Sequence, residues 1–573
     1  MAAAVQGPFA RNDALTARVL APVVLVAAVL AAYASSLHGA FVFDDPTSIA
    51  GNATIRHLTH LRAILATPHA TVSAEGRPVL NLSLALNYAV GGTSVEGYHW
   101  FNLAIHAAAS LALFGVLRRI FALVPNLERW ADELGWAVAL VWAVHPLQTE
   151  SVTYVIQRAE SLMGLFYLLT LYAFLRGWNR VAVIACFLGM ATKEDMVSAP
   201  LAVLLCDGLL IAGSFRQALR ARRSLYAGMF CSWALLAYLI AGTGGNRGGS
   251  IGFGMGLDAL SYWYTQFPAI TRYLSLSIWP HPLVFEYGSL SIPSFWLVWR
   301  PAAIVAALAA LTGVGLVRRS PAGWAGFCFF AILAPTSLVP GTTQMIVEHR
   351  MYLPLAALLA VVAGFAARRW PRATIATLVV AAVPCLALTR ARNRDYRTAV
   401  NLWDVTVQQR PQNVLARIML ANALHGEHRD AEALTQFKQA VGLRPRFPLG
   451  QEAFGEFLLA QGRAAEAAEH FRAAMAAKPD YADAHVNFGV ALGRLGDVAT
   501  AVAQERRAVA LAPAYETGHY ELARLLARDG RTAEAAAEYR RCLELDPDDA
   551  AARSGLSGLK RPPDRSDPGG PRR

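Results

Sequence analysis

The chain is poor in charge and in paired cysteines, and each deficit excludes a class of protein. Only 16% of its 573 residues are charged, whereas soluble globular domains carry about 25%. Its six cysteines lie mostly inside apolar stretches and have no paired spacing, so the sequence predicts neither a disulfide framework nor a zinc site. No glycine-rich phosphate loop follows a predicted strand, so we find no nucleotide-binding motif.

Apolar runs are what the sequence has in excess. Hydrophobic residues make up 55% of the chain, and stretches near the length of a bilayer crossing recur from Val19 to Leu388. We interpret the first as an uncleaved helix, because no small-residue cleavage pattern follows it. The pattern predicts a multi-pass integral membrane domain over residues 1–390, with eleven spans at 19–37, 99–117, 134–147, 160–176, 181–192, 196–212, 224–241, 301–317, 323–340, 351–367 and 373–389.

The net charge of +12 is explained by membrane orientation rather than by nucleic-acid binding. Positive residues mark loops that stay in the cytoplasm, and here they cluster in alternate loops. An odd number of spans from a cytoplasmic N-terminus predicts that the C-terminal region lies outside. The orienting residues are Arg11, Arg18, Arg118, Arg119, Arg176, Arg180, Arg216, Arg220, Arg222, Arg223, Arg318, Arg319, Arg368, Arg369 and Arg372.

One segment, 261–280, is ambiguous in this topology. It is apolar and aromatic enough to cross a bilayer, but it contains Pro268 and has Arg272 near its centre. A charge at mid-bilayer is costly unless it faces a cavity. We therefore expect a helix that lies along the outer interface or folds into a site; if it spans instead, the C-terminal region moves to the cytoplasm.

A 34-residue period marks the last third of the chain. Such a period, with a proline closing each unit, is typical of tetratricopeptide (TPR) helix pairs. We predict a TPR α-solenoid over 391–560, opened by a half repeat at 396–410, and a disordered tail at 561–573. The large position of the repeat holds an aromatic residue except at Glu505. The periodic residues are Pro411, Pro445, Pro479, Pro513 and Pro547, with Trp403, Phe437, Phe471, Glu505 and Tyr539 at the large position.

Adjacent carboxylates open the first predicted external loop, 38–98. Asp44 and Asp45 follow Phe41-Val42-Phe43 directly after an apolar span. A carboxylate there can take a proton from an acceptor hydroxyl or bind a metal. The alternative is a solvated pair at a helix end, with Asp45 as a cap. The spacing alone leaves both readings open.

Further polar clusters are predicted to lie at the same membrane surface. Several such clusters on one leaflet indicate a polar site at the rim of the bilayer, and guanidinium groups pair well with phosphate. A ligand with a phosphate at the rim and an apolar tail in the bilayer is a lipid phosphate. The residues concerned are Arg77, His99, His145, Glu150, Arg158, Lys193, Glu194, Glu348, His349, Arg350 and Tyr352.

These motifs, in this order and spacing, resemble one family: the transmembrane and TPR-repeat-containing protein O-mannosyltransferases and their bacterial relatives. The resemblance rests on Phe-Val-Phe-Asp-Asp, Arg77-Pro78-Val79, Gly97-Tyr98-His99, His145-Pro146 with Thr149-Glu150, Arg158-Ala159-Glu160, Lys193-Glu194 and the segment from Glu348 to Pro354. It covers nearly the whole chain, including the repeats. It implies an all-α, clan C glycosyltransferase fold.

The resemblance also implies an activity and roles for residues. Members transfer a sugar from a polyprenyl-phosphate donor on the non-cytoplasmic face, and mannose is named by the family alone. An acidic residue of the first external loop is the base, which here is Asp44 or Asp45, with a slight preference for Asp45. Arg158, His349 and Arg350 would face the donor phosphate, and Lys193 and Glu194 would support them. No cofactor is implied with certainty, and no metal is indicated.

Two other functions remain open on the sequence: a lipid-linked oligosaccharide polymerase or ligase, and a non-enzymatic membrane scaffold that recruits partners through its repeats. The expected partners are membrane lipid, the lipid-linked donor and a protein or peptide acceptor held in the TPR groove, which follows the usual use of solenoids. The Ala- and Arg-rich composition favours a high-GC bacterium, which predicts an inner-membrane protein with its repeats in the periplasm.

Overall fold

The computed structural model describes residues 8–66, 73–243, 252, 258–290, 292–341 and 344–559. Side chains are described from residue 20 onward. Within these ranges the chain is all-helical, as the sequence predicts. It divides into two compact units after Arg410. The predicted tail at 561–573 and the side chains of Arg11 and Arg18 lie outside the described residues.

The first unit contains eighteen α-helices in its described part. The helices before the first long break are α1 Pro8–Tyr33, α2 Asp45–Ser48, α3 Leu61–Ala66, α4 Pro78–Gly91, α5 Val95–Ala122, α6 Ala131–Val144, α7 Thr149–Thr153, α8 Arg158–Leu175, α9 Asn179–Met190, α10 Ala199–Cys206, α11 Phe215–Ala221 and α12 Arg223–Gly242. The remaining ones are α13 Ala259–Ile278, α14 Trp299–Val317, α15 Pro321–Leu338, α16 Pro354–Ala367, α17 Pro371–Asp395 and α18 Ala399–Gln409.

All eleven predicted spans lie on helices of this unit, but only some helices have the dimensions of a full crossing. Six are long and apolar enough: Leu20–His38, Val95–Ala122, Arg223–Gly242, Trp299–Val317, Pro321–Leu338 and Pro371–Asp395. A seventh would be the pair Glu194–Ile211 and Phe215–Ala221, which bends by 111°. The ambiguous segment forms α13, which is outside this set. The count of eleven and the orientation stay predictions.

Close helix approaches build the core of this unit around α5, α6 and α8. A Cβ on Gly135 would lie 2.8 Å from the backbone nitrogen of Arg118, so α6 meets α5 where only glycine fits. Small residues allow such contacts inside membranes, where close packing replaces the hydrophobic effect as a driving force. The indole of Trp142 on α6 donates to the carbonyl of Tyr352 (2.7 Å), which ties this bundle to the segment that precedes α16.

The second unit is the helical solenoid. Its helices are α19 Val414–Gly426, α20 Asp430–Leu443, α21 Pro448–Ala460, α22 Ala464–Ala477, α23 Ala482–Leu495, α24 Val498–Leu511, α25 Glu516–Arg528, α26 Thr532–Leu545 and α27 Ala550–Gly558. Consecutive helices pack against one another. Gly462, Gly496 and Gly530 follow the first helix of three successive pairs, at φ of +77°, +93° and +78°. This left-handed conformation ends a helix and favours glycine.

The helix that opens the predicted repeats is buried within the first unit. The sequence period assigns 396–410 to the repeats, but α18 packs within the first unit. Trp403 occupies the large position of the repeat and is 2% exposed. Its ring contacts Phe43 and Phe285, with centroids 5.6 Å and 5.1 Å apart. The same amphipathic pattern can be buried against either neighbour, and here the loops of the membrane unit bury it.

Candidate functional site

The segment that follows α1 turns sharply before it reaches the two aspartates. A Cβ on Gly39 would lie 3.0 Å from Nε2 of His99 and 3.3 Å from the carbonyl of Tyr396, so the backbone passes too close for a side chain. Phe43 has a φ of +50°. For a bulky residue this is a strained conformation that costs about 1–3 kcal/mol and concentrates at functional sites.

Asp45 has a structural role in this loop. It is fully buried, and its two oxygens accept backbone N–H groups from Val42 (2.9 Å) and Ile156 (2.8 Å). Burial raises the pKa of Asp45 to about 8, although those two hydrogen bonds act to lower it. A carboxylate with both oxygens engaged by the backbone fixes the loop to the turn before α8, and the structure gives it no open face for a substrate.

Asp44 has the exposure that Asp45 lacks. It is only half-buried, and its Oδ2 accepts a hydrogen bond from the Ser73 hydroxyl (3.0 Å). Its backbone N–H donates to the Tyr154 hydroxyl (3.1 Å). Burial raises the pKa of Asp44, and hydrogen bonds from Ser73 and Tyr154 and the charge of Arg77 oppose that shift. A half-buried carboxylate with a raised pKa has the properties of a general base.

Arg77 lies beside this carboxylate at the start of α4. It pairs with Glu194 (3.3 Å) and donates to the carbonyl of Ser73 (3.1 Å). Lys193, the neighbour of Glu194, is buried between Glu160 and Asp195, with Nζ 3.1 Å from the latter. The structure therefore brings four predicted segments together: the first loop, the start of α4, the start of α8 and the 193–195 turn.

His349 and Glu150 form a buried pair at the same site. Nδ1 of His349 lies 2.7 Å from Oε1 of Glu150, and Oε2 of Glu150 accepts the backbone N–H of Glu348 (3.1 Å) and of His349 (3.0 Å). Burial raises the pKa of Glu150 to about 8 and lowers that of His349 to about 3. The charges of Glu160, Lys193, Arg350 and Arg77 also act on the imidazole.

Arg350 and Glu348 point to different surroundings. Arg350 is partly exposed and donates to the carbonyls of Met345 (3.0 Å) and Gln344 (3.2 Å), which orients its guanidinium. Glu348 is buried, and its Oε1 accepts from the backbone of Val284 and the hydroxyl of Tyr287, both at 2.8 Å. Glu348 thus fastens the loop after α13 to this segment, while Arg350 keeps an exposed side.

The guanidinium of Arg158 is engaged by hydrogen bonds within the protein. It is fully buried. Its Nε donates to Asn102 (2.6 Å), its Nη1 to the carbonyl of Ser83 (3.1 Å) and its Nη2 to the carbonyl of Tyr98 (3.0 Å). The Phe101 ring covers it at 4.6 Å. This guanidinium joins α4, α5 and α8, so the geometry leaves it no face for the donor phosphate expected from the resemblance.

The remaining predicted residues lie behind the site. His99 is fully buried on α5, next to the backbone of Gly39. His145 caps the turn before α7, where Nδ1 accepts the N–H of Leu147 (3.2 Å). The Tyr352 hydroxyl lies 2.9 Å from Nδ1 of His106. These three side chains support the backbone of the site.

Sequence reasoning missed Glu286. It is 2% exposed and lies in the loop after α13, where its Oε1 accepts the N–H of Gly288 (2.8 Å). Burial raises its pKa to about 7, and the charges of Glu150 and Asp44 act in the same direction. The ring of the preceding Phe285 contacts that of Phe43 (6.2 Å), so two Phe-acid pairs meet here. This repeated pattern, a phenylalanine followed by an acidic residue, is the one feature of the sequence that could have indicated Glu286.

The assembled site has one half-buried carboxylate, two partly accessible arginines and a buried imidazole–carboxyl pair. Such a set can take a proton at Asp44 and stabilise negative charge at Arg77 and Arg350. Among the described residues, no group of three or more His, Cys, Asp or Glu side chains is arranged to hold a metal ion.

Fold and site together define a class: a multi-pass membrane protein with a polar site at the end of its helices and a TPR solenoid. Family models of the tetratricopeptide repeat match residues 386–448, 453–516 and 517–549. Among solved structures, a thermophilic TPR protein of Thermus thermophilus is 26% identical, with a TM-score of 0.27 over 31% of this chain and 94% of that one.

Curated relatives extend the likeness into the membrane unit. A protein O-mannosyl-transferase of Caenorhabditis elegans is 24% identical over 455 residues, which are 74% of this chain and 63% of that protein. The protein O-mannosyl-transferase TMTC3 of Mus musculus is 24% identical over 490 residues, 74% of this chain and 51% of its own length. The chain thus spans half to two thirds of these relatives. They confirm the resemblance of this chain to the transmembrane and TPR-repeat O-mannosyltransferases.

Proposed function

We propose that this protein is a membrane glycosyltransferase that moves a sugar, mannose, from a polyprenyl-phosphate donor to a Ser or Thr hydroxyl of a protein. The reaction takes place on the non-cytoplasmic face, which is the periplasm if the source is bacterial. The observation that carries the proposal is the position of Asp44, which is half-buried, bonded to Ser73 and within the field of Arg77. The names of the relatives supply the sugar and the acceptor class.

In the proposed reaction Asp44 takes the proton of the acceptor hydroxyl, while the oxygen of that hydroxyl forms a bond to the anomeric carbon. The bond from that carbon to the phosphate oxygen breaks, and the donor phosphate leaves as a dianion. Arg77 and Arg350 stabilise this added charge, a contribution of about 3–4 kcal/mol for one well-placed donor group. Glu194 holds Arg77 in place through their ion pair. One displacement of this kind needs no covalent intermediate.

An apolar groove in the membrane unit supports a lipid-linked donor. It is a cavity of about 100 Å³ between α5, α8, α15 and α16. Its lining is mostly apolar, and it includes Leu353, the residue after Tyr352. A prenyl chain that leaves the site at His349 and Arg350 would follow this groove and pack against its apolar side chains.

The solenoid supports a macromolecular acceptor or partner. Concave solenoid surfaces usually bind extended peptides or proteins. A polymerase or ligase acting on a lipid-linked glycan remains the competing activity, and the acceptor distinguishes the two. We therefore assign the repeats to acceptor engagement rather than to donor binding.

The test is a transfer assay in lipid. Purified full-length protein in nanodiscs is incubated with polyprenyl-phosphate mannose and a Ser/Thr-rich polypeptide, and products are identified by mass spectrometry. The proposal expects hexose on Ser or Thr and polyprenyl phosphate in equal amounts. Asp132→Asn is the matched control, because this exposed carboxylate pairs with Arg118, outside the site. Hexose found only on lipid or glycan would favour the competing activity, and no donor consumption would overturn both.

A further inference from the structure

The helix α18 forms an aromatic wall against the loop that carries Asp44. Trp403 packs against both Phe43 and Phe285, with ring centroids 5.6 Å and 5.1 Å away in edge-to-face geometry. Pairs of this kind contribute about 0.5–1.5 kcal/mol each beyond burial. The indole is therefore fixed by two contacts, and each contacted ring belongs to the residue before an acidic side chain.

Those two contacts lead directly to the carboxylates. Phe43 precedes Asp44, and its positive φ is a conformation that needs support from its surroundings. Phe285 precedes Glu286 and lies 5.2 Å from the ring of Tyr154. The Tyr154 hydroxyl in turn accepts the N–H of Asp44. Trp403 thus supports Asp44 by two routes, through its own backbone and through its hydrogen-bonding partner.

Flanking contacts hold α18 in this position. The carbonyl of Tyr396, just before α18, accepts the N–H of Ala40 (3.2 Å). The guanidinium of Arg410, just after α18, lies 4.8 Å from the ring centre of Tyr287. The segment 396–410 is therefore fastened at both ends to the two loops that carry Asp44 and Glu286, which a linker to the repeats would not require.

We propose that Trp403 is a positioning residue for Asp44 and Glu286, and that a helix with the TPR pattern serves as a wall of the reaction site. The proposal rests on the proposed function only for the role of Asp44 as base. The strained Phe43 stays in place because the indole fills the space behind it. Loss of the indole should let Phe43 relax and water reach Asp44.

The test reads the protonation of Asp44 without any donor. Full-length protein in nanodiscs is treated with a water-soluble carbodiimide and an amine across a pH series, and labelling of Asp44 is quantified by tandem mass spectrometry. The polar groups that face this carboxyl are not substituted in any of the variants. They are Ser73, Arg77, Tyr154, Asp45 and Glu286. Trp403→Ala should move the labelling midpoint about one pH unit lower, because desolvation is the main cause of the raised pKa.

Two variants separate positioning from general instability. Trp403→Phe keeps an aromatic edge between the two rings and should retain the wild-type midpoint. Phe437→Ala removes the buried ring at the same repeat position, 34 residues later, inside the solenoid unit. It should leave the midpoint unchanged.

The variants also separate this inference from the proposed function. Trp403→Leu, which fills much of the volume without a ring, is measured in parallel in case the alanine variant does not accumulate. A wild-type midpoint in both ringless variants, or an equal shift in Phe437→Ala, would overturn the inference. In the transfer assay, Trp403→Ala should lower kcat and leave the donor KM unchanged. If no transfer occurs, the labelling result still decides the role of Trp403.

Discussion

Replacing Glu505 with phenylalanine should stabilise the solenoid. Glu505 is fully buried on α24, and neither carboxyl oxygen has a hydrogen-bond partner among the described residues. The equivalent position in neighbouring repeats holds Phe471 and Tyr539, which are also buried. Gly489 faces Glu505 as Gly455 faces Phe471, with no Cβ in the way, so the space for a ring is already present.

The magnitude follows from three contributions. Leaving a buried polar group without a partner costs about 1–3 kcal/mol. Burying a phenylalanine side chain stabilises the fold by about 1.5–3 kcal/mol. Imperfect packing of the new ring destabilises it by about 1–3 kcal/mol. The net expectation is a gain of about 2 kcal/mol in the free energy of unfolding, which is roughly a 30-fold change in an opening equilibrium.

The gain should depend on pH. Burial raises the pKa of Glu505 to about 9, above its ordinary value of about 4.3. The unfolded chain therefore ionises first, and the stability of the solenoid falls as pH rises from about 4 to about 9. Glu505→Phe removes this loss, so its advantage over the wild type should grow across that range. Glu505→Gln is the matched control, because it removes the titration without filling the space with a ring.

Hydrogen exchange on the full-length protein in nanodiscs measures this locally. Amides of α23 to α25 should exchange about 30-fold more slowly in Glu505→Phe than in the wild type near neutral pH, and those of α5 and α6 should not change. Equal or faster exchange in the phenylalanine variant would refute the reasoning, because it would mean that the buried carboxyl has a favourable role that its contacts do not show.

Three further outcomes are expected. Arg158→Lys should reduce the yield of folded protein, since a lysine cannot reach three acceptors on α4 and α5, and the donor KM of the protein that remains should be unchanged; a raised KM at normal yield would contradict this. Ala356→Phe, in the apolar groove, should raise the donor KM by roughly tenfold without changing Asp44 labelling, because the added ring occupies space that the prenyl chain needs; initial rates measure it. Deletion of 411–560 should spare donor binding and lower transfer to polypeptides; unchanged polypeptide transfer would remove the acceptor role of the repeats.

The architecture could be predicted because it is written in periodic patterns. The 34-residue spacing of Pro411 and its counterparts gives the solenoid, and the apolar runs give the helices of the membrane unit. The period could not show that α18 is buried in the other unit. The sequence of an amphipathic helix shows which face is apolar but not which surface covers that face. Trp403 is compatible with burial in either unit.

The site was predictable as a set of segments but not as a set of roles. Sequence placed Asp44 and Asp45 together, yet only the backbone N–H groups of Val42 and Ile156 distinguish a structural carboxylate from an available one. The same holds for Arg158, whose acceptors come from α4 and α5. Residue type and spacing carry charge, while the number of satisfied hydrogen bonds depends on the folded backbone.

The central claim is that Asp44 is the base and Asp45 is part of the scaffold. The most direct test compares Asp44→Asn with Asp45→Asn in the transfer assay and in thermal unfolding of the same preparations. Asp44→Asn should lower kcat/KM by about 10²- to 10⁴-fold with an unchanged Tm. Asp45→Asn should lower the Tm, because an amide nitrogen would face a backbone N–H, at a cost of about 1–3 kcal/mol. Full transfer activity in Asp44→Asn would contradict the account.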